Sequence, residues 1–167
     1  MRTNAARFGS FWLAALCVLL SAGFARERQA RAGADEAKGG EPWSAAETVS
    51  AEDLHRELTS KNGQRPEIVY VGFRTLFAGG HIPGATFHGT ASRPEGLEEL
   101  RNWASSQPRT ANVVLYCGCC PFERCPNVRP AYAALHAMGF RKVRVLILPT
   151  SFAADWAGKG YAIEKGM

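Results

Sequence analysis

The stretch Asn112-Val-Val-Leu-Tyr-Cys117-Gly-Cys-Cys-Pro-Phe-Glu-Arg-Cys125 decides how the chain folds. Asn112 to Tyr116 is β-rich and mostly apolar, the composition of a buried strand. Cys117 stands where that strand ends. The pattern beyond Pro126 predicts a helix over 128–138, with Val128, Tyr132, Leu135 and Met138 on its apolar face. Gly139 follows where a C-terminal cap belongs. Strand, loop and helix in this order bring a thiol to main-chain N–H groups and to the positive end of a helix dipole. Both favour the thiolate.

Further strands are expected at Glu67–Val71 and Val143–Leu148. Helices are expected over 50–58, 94–103 and 151–156, with a last extended piece at 160–163. Ser50 is the natural N-cap of the first helix, and Gly79-Gly-His-Ile-Pro-Gly84 is turn chemistry. Strands alternating with helices predict an α/β fold: a three-layer α/β/α sandwich around a mostly parallel sheet. Ligands of such sheets sit beyond the carboxyl ends of the strands, where Cys117 lies.

The N-terminus reads as an export signal over residues 1–25: Arg2 and Arg7, a short apolar core from Phe11 to Leu20, and small residues at Gly23 and Ala25. The expected location is periplasmic or secreted, with no membrane association once the signal is removed. Residues 26–48 are polar, aperiodic and Ala/Gly-rich, and read as a flexible leader. Residues 49–167 are then one domain. Removal of residues 1–25 takes away two arginines and no acid, leaving 18 basic and 15 acidic residues and a net charge of +3. No basic tract or aromatic–basic ladder is present, which argues against a nucleic-acid partner.

Four of the five cysteines fall within residues 117–125. Disulfides inside so short a loop would restrict little chain entropy. The cluster therefore points to chemistry, redox or metal binding.

In its order of motifs the chain resembles the rhodanese-like (sulfurtransferase) family over about residues 48–164. The resemblance is carried by Gly80-His-Ile-Pro-Gly-Ala85, Val114-Leu-Tyr-Cys117, Met138-Gly-Phe140, the strand Val143–Leu148, and Trp156 followed by Gly160-Tyr161. It implies a nucleophile at Cys117, which takes a sulfane sulfur as a persulfide and passes it to a thiophilic acceptor. A small sulfur-containing anion such as thiosulfate and a thiol acceptor are the implied partners, and no cofactor is required. Three positions depart from the family pattern. Gly72-Phe-Arg74 stands where Asp-x-Arg is common, the cysteine loop is longer, and Pro149-Thr-Ser151 replaces a glycine pair.

Within the loop, Cys119 and Cys120 are the alternative nucleophiles. Gly118, Cys119 and Cys120, with Arg124, Arg129 and Arg74, are the expected anion cradle. Cys120 and Cys125 are candidates to resolve a persulfide or form a disulfide. A different chemistry is open to the same residues: Cys117, Cys119, Cys120 and Cys125 could grip copper or zinc, which favour thiolates. No cysteine is followed six residues on by arginine, as the related Cys-x5-Arg phosphatases would require.

Overall fold

In a computed structural model, residues 40–61 and 63–167 are described. The compact unit runs from Glu41 to Met167. The expected signal segment and most of the expected leader lie outside the described residues. Among the described residues, no helix is long and apolar enough to cross a membrane.

Five strands build one sheet: β1 (Thr48–Ser50), β2 (Glu67–Tyr70), β3 (Thr86–Phe87), β4 (Asn112–Tyr116) and β5 (Lys142–Ile147). Their order is β1-β5-β4-β2-β3, and every pairing is parallel. The helices are α1 (Ala51–Thr59), α2 (Arg74–Gly79), α3 (Pro94–Ser105), α4 (Val128–Ala137) and α5 (Phe152–Asp155). The three-layer α/β arrangement read from the sequence is the observed one.

β4 is central, and Val113 to Tyr116 are each fully buried. Alternation along it feeds two cores. Val113, Leu115 and Cys117 pack with Leu100 of α3 and Ala131 and Leu135 of α4. Val114 and Tyr116 face the other way, toward Leu54, Phe77 and Trp156. Each large aliphatic side chain so buried contributes about 1.5–3 kcal/mol.

The chain ends its helices as its residues dictate. Ser50 Oγ accepts the Asp53 N–H at 3.0 Å and caps α1. At the end of α4, Gly139 has φ +87°, and the Phe140 N–H returns to the Leu135 carbonyl at 3.1 Å.

The domain starts earlier than position 49. Trp43 packs edge-on against Tyr132 with ring centroids 5.3 Å apart, and the Tyr132 hydroxyl donates to Glu47 at 2.7 Å. Glu41 pairs with Arg129. These contacts attach residues 41–48 to α4, so the leader as read from composition ends too late. Short elements also escape the periodicity: β1 has three residues, β3 has two, and α2 has six and ends in glycine. The extended piece expected at 160–163 is irregular, and only Glu164 makes a bridge, antiparallel to His81.

Candidate functional site

Cys117 leaves the end of β4 with its side chain still in the core, only 2 % exposed. Gly118 then turns the chain with φ +70°. A Cβ there would lie 2.6 Å from Phe152 Cβ, so only glycine fits. Its carbonyl accepts the Phe152 N–H at 3.0 Å, which ties the loop to the start of α5. The loop continues through a short 3-10 turn, Phe122–Arg124, and re-enters the core at Cys125.

This path folds three sulfurs together. Cys117, Cys119 and Cys125 Sγ all lie within 4.8 Å of one another, and all four loop cysteines are free thiols. Cys117 Sγ is 3.1 Å from Cys119 Sγ, and Cys119 Sγ is 3.3 Å from Cys120 Sγ. Asn127 is fully buried at the head of α4 and leaves the helix uncapped. Its Oδ1 accepts the Ser92 N–H at 2.9 Å, and its Nδ2 donates to Cys117 Sγ at 3.4 Å.

The thiols share protons unequally. Cys117 is driven well above the ordinary thiol range, because it donates to Cys119 and Cys125 and is buried. Cys119 is lowered to about 7, chiefly by the hydrogen bond from Cys117. Cys125 is lowered to about 6, first by the bond from Cys117 and further by the N–H groups of Asn127 and Val128. The helix N-terminus therefore serves Cys125, which directly precedes it, and not Cys117 as its place at the strand end suggests. Burial and Cys119 push Cys120 up to about 12.

A pocket of about 410 Å³ opens over the cluster, lined by Cys117, Cys119, Tyr70, Leu76, Phe152 and Ile163 among others. The Tyr70 hydroxyl is buried without a hydrogen-bond partner, the one such side-chain atom among the described residues. Its phenol is pushed above its ordinary range by burial.

The architecture can be compared with known proteins. No family model matches the chain, and no curated protein matches it. Solved structures do. The rhodanese-like domain of an Anabaena protein superposes with a TM-score of 0.53 at 22% identity, covering 71% of this chain and 79% of that one. A rhodanese-like domain protein from Staphylococcus aureus superposes at 0.50 and 15% identity, over 72% and 99%. A thiosulfate sulfurtransferase from Pseudomonas aeruginosa superposes at 0.51 and 21% identity, over 76% of this chain but 20% of that one. The fold is that of a rhodanese-like domain.

On this rhodanese-like fold the expected arginine cradle is not assembled. Arg129 is held by Glu41 and by the carbonyls of Phe122 and Cys125, the last at 3.0 Å. Arg74 lies over the Phe87 ring at 4.2 Å and 3.7 Å from Glu99. Arg124 is exposed on the 3-10 turn. None of the three lines the pocket, whose wall holds no Lys, Arg or His among the described residues. Gly118 and Cys119 do line it, whereas Cys120 does not.

Two residues of this site have no role in the sequence reading: Tyr70 and Asn127. Asn127 carries a signal, an Asn immediately before a helix, but the signal reads as an N-cap. Gly72, read only as a missing acid, has a structural cause. A Cβ on it would lie 2.6 Å from the Tyr70 oxygen and 2.7 Å from Cys117 Sγ. The three clustered thiols also form a soft donor set suited to Cu(I) or Zn, a set that does not include Cys120 although its sulfur touches Cys119. His81, by contrast, is structural as its turn suggests, with Nδ1 2.9 Å from the Phe77 carbonyl.

Proposed function

We propose that the domain transfers sulfane sulfur through a cysteine persulfide formed on Cys119. The carrying observation is that Cys119 alone combines a lowered pKa, about 7, with partial exposure and a place in the pocket wall. The thiolate is the attacking species, so Cys119 takes the role that the family pattern gives to Cys117. Cys117 supplies the hydrogen bond that holds the Cys119 thiolate, at 3.1 Å.

The wall suggests the donor. Leu76, Phe152, Ile163 and Tyr70 line the pocket together with Cys119, and no Lys, Arg or His among the described residues lines it. A hydropersulfide with an apolar body suits this surface better than the thiosulfate dianion. The Cys119 thiolate attacks the outer sulfur of R–S–SH. The product is Cys119–S–S⁻, and R–SH leaves with the proton. A thiophilic acceptor, a thiol among them, would then take the sulfur. The N-terminal signal reading adds an export destination, periplasmic or secreted.

The test is intact mass spectrometry after anaerobic treatment of the reduced protein with an alkyl hydropersulfide or with thiosulfate. Cys119→Ser should lose sulfur uptake and Cys117→Ser should keep it, with uptake faster from the hydropersulfide. Uptake that survives in Cys119→Ser and disappears in Cys117→Ser returns the nucleophile to Cys117.

A second reading is favoured by the three sulfurs within 4.8 Å: retention of a soft metal ion without turnover. Stoichiometric Cu(I) bound to protein that takes up no sulfur would support it.

A further inference from the structure

We infer that Cys117 resolves the persulfide formed on Cys119, closing a Cys117–Cys119 disulfide and releasing the transferred sulfur as sulfide. This rests on the sulfur-transfer reading above and adds to it the fate of the sulfur: it leaves as sulfide, reduced by the two thiols of the same loop.

Three observations meet here. The first is distance. Cys117 Sγ and Cys119 Sγ are 3.1 Å apart, the separation of a near-attack pair. The second is placement. Cys117 is buried at the strand end, gripped by the Asn127 amide and backed by Gly72. Cys119 is half-buried and faces the pocket. A sulfur added to Cys119 extends into that space, while the inner sulfur stays against Cys117. Attack by Cys117 therefore falls on the inner sulfur and expels the outer one. The third observation is Tyr70. Its buried hydroxyl has no hydrogen-bond partner, and Tyr70 is one of the residues that line the same pocket. An anionic sulfur arriving there gives that O–H an acceptor, and charge-assisted hydrogen bonds are the stronger kind.

The step balances: Cys119–S–S⁻ and Cys117–SH give Cys119–S–S–Cys117 and HS⁻. The bond between Cys119 Sγ and the outer sulfur breaks, and a bond between the two Sγ atoms forms. The outer sulfur leaves with the bonding pair and the Cys117 proton. It gains two electrons, and the two cysteines together give up two. Cys117 is the donor in its 3.1 Å contact with Cys119, so its proton lies where the leaving sulfur needs one. A small dithiol reopens the disulfide for another round. Gly118, between the two cysteines, gives the backbone latitude to close so short a ring.

The experiment uses the whole domain, fully reduced and anaerobic, with one equivalent of an alkyl hydropersulfide. Sulfide is measured in solution, and the protein by intact mass and peptide mapping. The expected wild-type product is two hydrogens lighter, carries a Cys117–Cys119 link and has released about one sulfide per chain. Cys117→Ser, which can still donate to Cys119, should stay one sulfur heavier and release none; Cys117→Ala, which lacks that donor, should take up sulfur more slowly and likewise release none, and it guards against misfolding from a buried hydroxyl. Wild type that keeps the added sulfur, or a link that maps to Cys125, overturns the inference and leaves sulfur transfer standing. No added sulfur on any variant and no sulfide overturns the sulfur-transfer reading itself.

Discussion

The phenol oxygen of Tyr70 and the sulfur of Cys117 converge on one point, the place a Cβ would occupy on Gly72, at 2.6 and 2.7 Å. A hydroxyl with no partner and a thiol with a retained proton thus share a gap that only glycine leaves open.

Tyr70→Phe separates stability from chemistry. It removes a buried unsatisfied hydroxyl, so the domain should gain about 1 kcal/mol in denaturant unfolding. Sulfide release should nonetheless slow about tenfold, the effect of one lost hydrogen bond. Gly72→Ala should destabilise by about 1–3 kcal/mol, because neither neighbour can move aside cheaply. Equal rates in Tyr70→Phe and wild type would remove the phenol from the chemistry.

Asn127 links the α4 head to both Ser92 and Cys117. Asn127→Ala should cost about 1–3 kcal/mol, since it strands the Ser92 N–H. Asn127→Asp can still accept that bond but cannot donate to sulfur, and it brings a negative charge to the thiols. Cys119 alkylation should then shift to higher pH than in wild type, with recovery in alkaline buffer. An unchanged profile would mean that the Asn127 amide is purely structural.

Thiol labelling should follow the order of ionisation. Lowered to about 7, Cys119 should gain iodoacetamide reactivity as pH rises through 7 and then level off. Cys120, pushed up to about 12, should still be accelerating at the alkaline end of the range. Peptide-resolved mass spectrometry reads both. Cys125 should label slowly despite its lowered pKa, because it is only 3 % exposed.

Acid should weaken the fold through His88. Burial lowers its pKa from 6.5 to about 4, and its ring stacks on Trp103 at 4.6 Å. The unfolded chain binds a proton that the folded one refuses. Stability should therefore fall as pH drops from 6.5 toward 4, by no more than about 3 kcal/mol. Chemical denaturation across that range should show a shallower slope for His88→Gln.

The sequence reveals most of the frame because β2, β4 and β5 are runs of buried β-formers and α1, α3 and α4 keep helical spacing. β1 is hidden because its three residues run directly into the Ser50 cap. α2 is hidden because its end, Gly79-Gly80, reads as a turn. At the site, the cysteines and Gly118 are legible as a group, but their division of labour is not. A place at the strand end credits Cys117 with the helix dipole, whereas it is Cys125, three residues before Val128, that meets those amides. Nor can spacing show that Arg129 is held by Glu41, which composition assigns to a leader.

Gly118 and Asn127 are the two rivets of the loop, one fastened to Phe152 and the other to Ser92. Of the eight residues 119–126 between them, Cys125 is held in the core, and the others form the replaceable part of the loop. Mutation can rewrite its reactivity while the sheet beneath stays as it is, and a segment grafted between the same two anchors should inherit the pocket ready-made.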